Sequence, residues 1–335
     1  MKTYLSVGNY IKRSAVWTAV ILAILAVTFQ PRLAKAGAKE LPPEKIKAII
    51  IGDRVVDIAY NLGVLPEAMT VRAGAWPMVP KLRIASQMLG CPVRMVKIPS
   101  TIPDGAKKLG IKTIIIEKHP NFFIYKPDVK PENVVPLLKG TDLEIEYVDF
   151  NQGLESAIRQ TAKLIGREPK ADALIEEYNK SLAKAKMGLP KTPLGKKVVI
   201  FNGIYQKETG KSFLRVEAPG GYSDRFFLEP LGCINVGDCF KPENEEVKGG
   251  HYVVKKKKGM MVLDPMIKVD PDIIVITGDP FAGQKAIQVC AKKNLAILNV
   301  KAVKDMAVYS LPFYVDGSVI EYPAILRKWV AALYR

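Results

Sequence analysis

The sequence has 335 residues, with 50 lysines and arginines against 33 aspartates and glutamates, a formal charge of +17 and 48% hydrophobic residues. That is about two domains' worth of globular chain, with apolar material for a core in each half. Only two histidines occur, too few for a conventional His-rich zinc centre, and no His-Glu-x-x-His, Gly-x-Ser-x-Gly or phosphate-loop motif is present.

Residues 1–36 differ from the rest. Lys2, Lys12 and Arg13 precede an uncharged, mostly apolar run over 14–29, and Ala34-Lys35-Ala36 offers small residues at cleavage spacing. This layout predicts a secretory signal peptide cut after Ala36. The run is short for a membrane span, so an exported, periplasmic, soluble monomer is expected. Losing the five basic residues of the leader leaves +12, which suits an anionic ligand or membrane surface. Nucleic acid is not an expected partner, because no binding module is recognisable.

The first mature half opens with Ala48-Ile49-Ile50-Ile51, a continuous apolar run of the kind buried on both faces of a parallel sheet. A helix is predicted over 55–62, a β-rich stretch at Met69-Thr70-Val71, a helix over 81–89 and an extended segment over 93–98. One or two helical turns over 104–109 lead to the strand Thr113-Ile114-Ile115-Ile116. A strand over 143–148 and a helix over 154–165 close the half. From 169 to 187, Ala171, Leu174, Ile175, Tyr178, Leu182 and Ala185 recur at helical spacing. Pro169 suits the first turn and Gly188 with Pro190 stops the helix. The stripe is narrow and the other face is charged, so this rod of roughly 28 Å reads as a surface connector between two lobes.

The second half restarts the pattern, with strands at 197–201, 273–276, 295–298 and 308–309 and helices at 224–231, 284–292 and 321–334. Alternating strands and helices in both halves predict two α/β sandwich lobes with largely parallel sheets. The expected organisation is a first lobe over 37–168, a linker helix over 169–188 and a second lobe over 189–335. Lys255–Lys258 reads as a solvated turn. The four cysteines allow three full pairings, and in an oxidising compartment Cys233 and Cys239, close in sequence, are the expected pair. No further metal ligands accompany them.

Taken together, these segments resemble the helical-backbone substrate-binding proteins of ABC importers, the cobalamin and iron-siderophore type. The resemblance rests on LEIEYVDF with the helix ending Leu164-Ile165-Gly166, the Ala171…Leu174…Tyr178 helix, PLGCINVGD at 230–238, DPDIIVITG at 270–278 and NLAILNVKAVKDMAVYSLP at 294–312. It covers most of the mature chain, best from Leu143 onward, and departs from the pattern over 76–104. It implies a non-enzymatic, cofactor-free protein that carries a metal chelate (a ferric siderophore, heme or a corrinoid) to a permease and its ATPase. A metal oxyanion or bare metal ion is the alternative cargo. A chelatase-like enzyme and a sensor on the same scaffold are alternatives of other classes.

In parallel α/β sheets, ligands gather outside the carboxyl ends of the strands. That rule selects Asp53, Arg54, Trp76 and His119 in the first lobe and Tyr205, Tyr222, Phe281 and Tyr314 in the second. Arg54 can fork onto a carboxylate or phosphate, or instead pair with Asp53 or Asp57. Trp76 and the tyrosines offer flat amphipathic area for a large ligand. His119 and His251 also read as polar surface residues. The resemblance further places permease-docking acids near Asp104 and at Asp264, which double as turn formers beside Pro103 and Pro265.

Overall fold

The structure, a computed structural model, describes residues 43–72, 76, 78–119, 130–206, 209–243, 250–312 and 319–334. The signal peptide expected over 1–36 lies outside the described residues, as does Tyr314.

The first lobe runs β1 (Glu44–Ile51), α1 (Asp53–Asn61), β2 (Val64–Thr70), α2 (Val79–Leu82), β3 (Gln87–Gly90), α3 (Pro92–Lys97), α4 (Thr101–Leu109), β4 (Thr113–Lys118), β5 (Glu144–Asp149) and α5 (Gly153–Leu164). Its five strands lie in the order β3-β2-β1-β4-β5, all parallel. Helix α6 (Glu168–Met187) then leads to the second lobe. That lobe begins with β6 (Lys197–Gln206), β7 (Lys211–Glu217), a π-helical turn Asp224–Leu228 continuing into α7 (Glu229–Leu231), β8 (Ile234–Asn235) and β9 (His251–Val253). A small hairpin of β10 (Lys256–Lys257) and β11 (Met260–Met261) precedes α8 (Asp264–Val269), β12 (Ile273–Gly278), α9 (Pro280–Lys293), α10 (Lys301–Lys304), β13 (Val308–Ser310) and α11 (Tyr322–Leu333). The sheet order is β13-β12-β6-β7-β9, parallel from β13 to β6 and antiparallel beyond, with β8 beside β6.

The period-2 alternation of strands decides what each sheet face touches. In the first lobe Ala48, Ile50 and Ile115 face a central cluster, while Ile49, Ile51, Ile114 and Ile116 face an outer one. In the second, Val198, Ile200, Ile273 and Val275 join the same central cluster, and Val199, Phe201, Ile274 and Ile276 face a separate outer one. The two lobes therefore share one core. Helix α6 contributes Ala171, Leu174, Ile175 and Ala185 to it, and α11 contributes Ile325, Leu326, Trp329 and Leu333. Trp329 stacks on Phe227 with centroids 4.6 Å apart. Because this apolar seam is continuous, residues 43–335 form a single compact unit, a joint that resists large lobe movements.

Several local expectations differ from the structure. Over 81–89 the helix stops at Leu82, and Gln87–Gly90 pairs instead with β2 as an edge strand. The extended segment expected over 93–98 is helix α3, started by Pro92, whose fixed φ and missing N–H suit the first turn. The strand expected at 295–298 is a 3-10 turn, fixed by Asn294 Oδ1 accepting the Ala296 N–H at 3.1 Å. Short apolar runs carry no unambiguous period, and pairing or capping settles them. Lys255–Lys258 is more than a turn. Lys256 and Lys257 form β10, and Lys258-Gly259, both at positive φ (49° and 79°), make the tight hairpin link to β11.

Cys233 and Cys239 are not bridged, and Cys91 and Cys290 are free too. Cys233 belongs to the central cluster, whereas Cys239 packs on the outer cluster of the second lobe. The sheet stands between them, and burial pushes both thiols up to about 11.

Candidate ligand cleft between the two sheets

Contacts across the seam show how the carboxyl ends of the two sheets are arranged. Asp57 on α1, the helix after β1, accepts the backbone N–H of Ile320 through Oδ2 at 2.8 Å. Ile320 lies beyond β13, at the entrance to α11. Trp76, beyond β2, stands by Glu321; burial raises that carboxyl, while Trp76, Lys328 and Lys81 pull it back. In both cases a segment leaving the carboxyl end of one sheet meets a segment leaving the carboxyl end of the other. The strands thus finish toward a shared seam, where the topological rule puts a ligand.

On the first-lobe side the charged residues are already engaged with one another. Arg54 is wholly buried. Its Nε donates to Glu117 Oε1 at 2.7 Å, its Nη2 is ion-paired with the same oxygen at 2.6 Å, and its backbone N–H donates to Glu117 Oε2 at 3.1 Å. The guanidinium also lies over the Phe150 ring, 4.2 Å from its centroid. Glu117 reaches this place because Gly52 precedes α1 at φ 130°, where a Cβ would come within 2.3 Å of Glu117 Cβ. The N-terminus of α1, a natural anion site, is therefore filled from within the protein. Burial raises the Glu117 carboxyl and Arg54 lowers it.

Asp53 holds Arg72 in the same way, Oδ2 accepting from Nε at 2.7 Å and Oδ1 from the backbone N–H at 2.9 Å. The geometry of Arg54 is thus that of framework, and its carboxylate partner is neither Asp53 nor Asp57. Trp76 is likewise interior, 1% exposed and part of the central cluster. His119 is half-buried at the end of β4.

In the second lobe the candidates separate. Tyr205 and Phe281 meet edge to face, centroids 5.5 Å apart, and Lys285 lies 5.3 Å over Phe281. Phe281 is 53% exposed. Tyr222 is instead buried in the central cluster, stacked on Phe226 at 5.9 Å. Tyr205 shares the register parity of Val199 and Phe201, which face outward, so strand alternation sets it and Tyr222 on opposite sides of the sheet.

A polar group that the motifs did not reveal occupies the inner side of this sheet, near the strand ends. Arg215 Nη2 donates to Asn202 Oδ1 at 2.9 Å, and Asn202 Nδ2 donates to Thr277 Oγ1 at 3.2 Å. Asn202 and Thr277 are buried and Arg215 is half-buried. Burial lowers the pKa of the guanidinium, and no carboxylate among the described residues is paired with it. The available signal was the alternation of β7, where Leu214 and Val216 are apolar and Arg215 between them is not. Behind it, Glu217 repeats the device of Glu117. It sits where a Gly221 Cβ would come within 2.5 Å of its Oε1, and it accepts the Ser223 N–H at 2.6 Å. Burial pushes it up to about 7.

Asp104 and Asp264 are both exposed, in the first turns of α4 and α8. Each helix precedes a strand. Lys197 Nζ at the start of β6 donates to the Val269 carbonyl at the end of α8, so Asp264 is directed toward the carboxyl ends. Its Oδ1 accepts from Asn294 Nδ2 at 2.9 Å.

No family model matches the sequence, and no curated protein matches it. Solved structures do resemble the fold. The periplasmic heme-binding protein RhuT from Roseiflexus sp. RS-1 matches with a TM-score of 0.59 at 13% identity, over 87% of this chain and 98% of that one. The periplasmic heme-binding protein HutB of Vibrio cholerae gives 0.54 at 15%, over 87% and 100%. The iron-uptake system-binding protein FeuA from Bacillus subtilis gives 0.54 at 16%, over 86% and 94%. The chain has the fold of these binding proteins: two α/β lobes with largely parallel sheets joined by one long helix.

Proposed function

We propose that the protein is the extracytoplasmic binding component of an ABC importer, holding an anionic metal chelate between its lobes and passing it to a permease and ATPase. It is a carrier and not an enzyme in this reading. The fold likeness to heme-binding and iron-uptake proteins supports it. The observation that carries it is Arg215, a partly desolvated cation near the strand ends whose hydrogen-bond partner is the neutral Asn202. An unpaired, partly buried charge is costly, and an anionic group on a ligand offsets that cost with a charge-assisted bond. His119 stands at the strand ends as a further contact and Tyr314 belongs to the same proposal, whereas Tyr205 and Phe281, expected beside them, lie on the other side of the sheet from Arg215. Asp53, Arg54, Trp76 and Tyr222 support the cleft from behind.

The test is titration of the purified protein with hemin, a ferric siderophore, a cobalamin and molybdate, followed by absorbance and melting temperature. A ligand that binds only the folded form at about 100 times its Kd stabilises by roughly 2.7 kcal/mol. A chelate that raises the melting temperature and is recovered chemically unchanged is the expected result. Stabilisation by molybdate alone favours the oxyanion cargo, and no stabilisation by any of the four overturns the reading.

A further inference from the structure

The outer face of the second lobe carries a cavity of 290 Å³ beside the β10–β11 hairpin. Its rim holds Lys211, Lys256 and Lys285, its floor is formed by Met260, Met261 and Val289, and no acidic residue lines it. Next to it the exposed side chains of Lys257 and Lys258 extend the same charge, while Lys255 lines a separate pocket that also holds Glu243. Among the described residues none of Lys211, Lys256, Lys257, Lys258 and Lys285 is paired with a carboxylate. Two of them are held in place. Lys256 Nζ donates to the Ser212 carbonyl at 2.9 Å and lies 5.1 Å over the Phe213 ring, and Lys285 lies over Phe281. Both rings are exposed. The hairpin turn keeps its charge at a backbone cost, because Lys258 adopts φ 49° where Asn or Gly is preferred.

Cations alone would suit a free anion. Cations interleaved with exposed aromatic rings suit a surface that has both phosphates and an apolar interior edge. We propose that this rim is a docking patch for an anionic lipid surface, its lysines engaging headgroup phosphates and Phe213 and Phe281 seated at the interface. The patch borders the turn after β6, the carboxyl-end side of the sheet. It stands independently of what the cleft carries.

The test is co-sedimentation of residues 37–335, which contain the whole compact unit over 43–335, with vesicles of phosphatidylcholine alone or with about one-third phosphatidylglycerol. The variant is K211E/K257E/K258E, whose positions are all exposed; an unchanged melting temperature verifies its fold. Without residues 1–36 neither protein carries the apolar run and five basic residues of the expected leader, so binding to the neutral vesicles sets the background. Three lysines near such a surface account for roughly a hundredfold in affinity, so the variant should fall to background on anionic vesicles. Wild-type binding should fade as salt shortens the Debye length. Equal binding of both proteins to anionic vesicles overturns the proposal. So does release of the wild type by millimolar inorganic phosphate at constant ionic strength, which would mark a free-phosphate pocket instead.

Discussion

Asp57 Oδ2 receives the Ile320 N–H at 2.8 Å, a bond joining positions 263 residues apart and the two lobes of the molecule. The carboxyl is fully buried, and burial with the nearby Glu321 pushes its pKa up to about 8. Its second partner is Asn61 Nδ2, on Oδ1 at 3.1 Å. At neutral pH the seam is thus held by a carboxyl that is mostly protonated.

A pH dependence follows. Asp57 rises from 3.8 to about 8 and Glu217 from 4.5 to about 7 on folding. Between pH 4 and 8 the folded state therefore binds more protons than the unfolded one, and stability falls as pH rises through that window. Urea midpoints should be higher at pH 5 than at pH 8.5. Asp57→Asn should flatten part of the slope, with little effect at pH 5 and a relative gain at pH 8.5. A variant with the wild-type slope would assign the seam proton elsewhere.

Removing one member of the Arg54–Glu117 pair strands the other in the interior. Arg54→Ala should cost about 3–5 kcal/mol, read from urea denaturation. Any loss of ligand binding in this variant would then track the loss of fold. Full stability in Arg54→Ala would contradict the buried pair.

Gly52 is constrained by both conformation and space. Gly52→Ala places a methyl against Glu117 at a φ that L-residues rarely adopt. The expected cost is roughly 2–5 kcal/mol, measured by chemical denaturation. Gly110→Ala, where no atom lies within 4 Å of the new Cβ, serves as a control for backbone strain without the clash.

Arg215→Ala should behave in the opposite way to Arg54→Ala. It removes a half-buried cation with a neutral partner, so the melting temperature should hold. Affinity for an anionic chelate should fall about ten- to a hundredfold, the worth of a charged hydrogen bond. Isothermal titration with wild-type affinity would take Arg215 out of the site.

Asp104→Lys with Asp264→Lys tests the proposed docking to a permease. Charge pairs at an interface rim act mainly on association rate. Ligand affinity should be unchanged and cellular uptake slowed, with the deficit shrinking at high salt. Normal uptake at ordinary expression would leave both aspartates as helix starts alone. For Asp264 that role includes its bond from Asn294.

The sequence by itself determined the two-lobed α/β plan. The isoleucine run of β1 and the stripe Ala171, Leu174, Ile175, Tyr178 on α6 are local patterns, and local periodicity reports which face is buried. What only the tertiary structure decided is which partner each face and each charge meets. Arg54 could have met Asp53, Asp57 or a ligand; it meets Glu117, 63 residues away, because Gly52 leaves room for that side chain. Cys233 and Cys239 are near in sequence, yet a sheet lies between them. Trp76 and Tyr222 went into the shared core, while Arg215, in a strand with no motif, came to the strand ends. Burial and pairing of charged groups depend on contacts between distant segments, and those contacts form only when the sheets, with their period-2 alternation, pack on a common core.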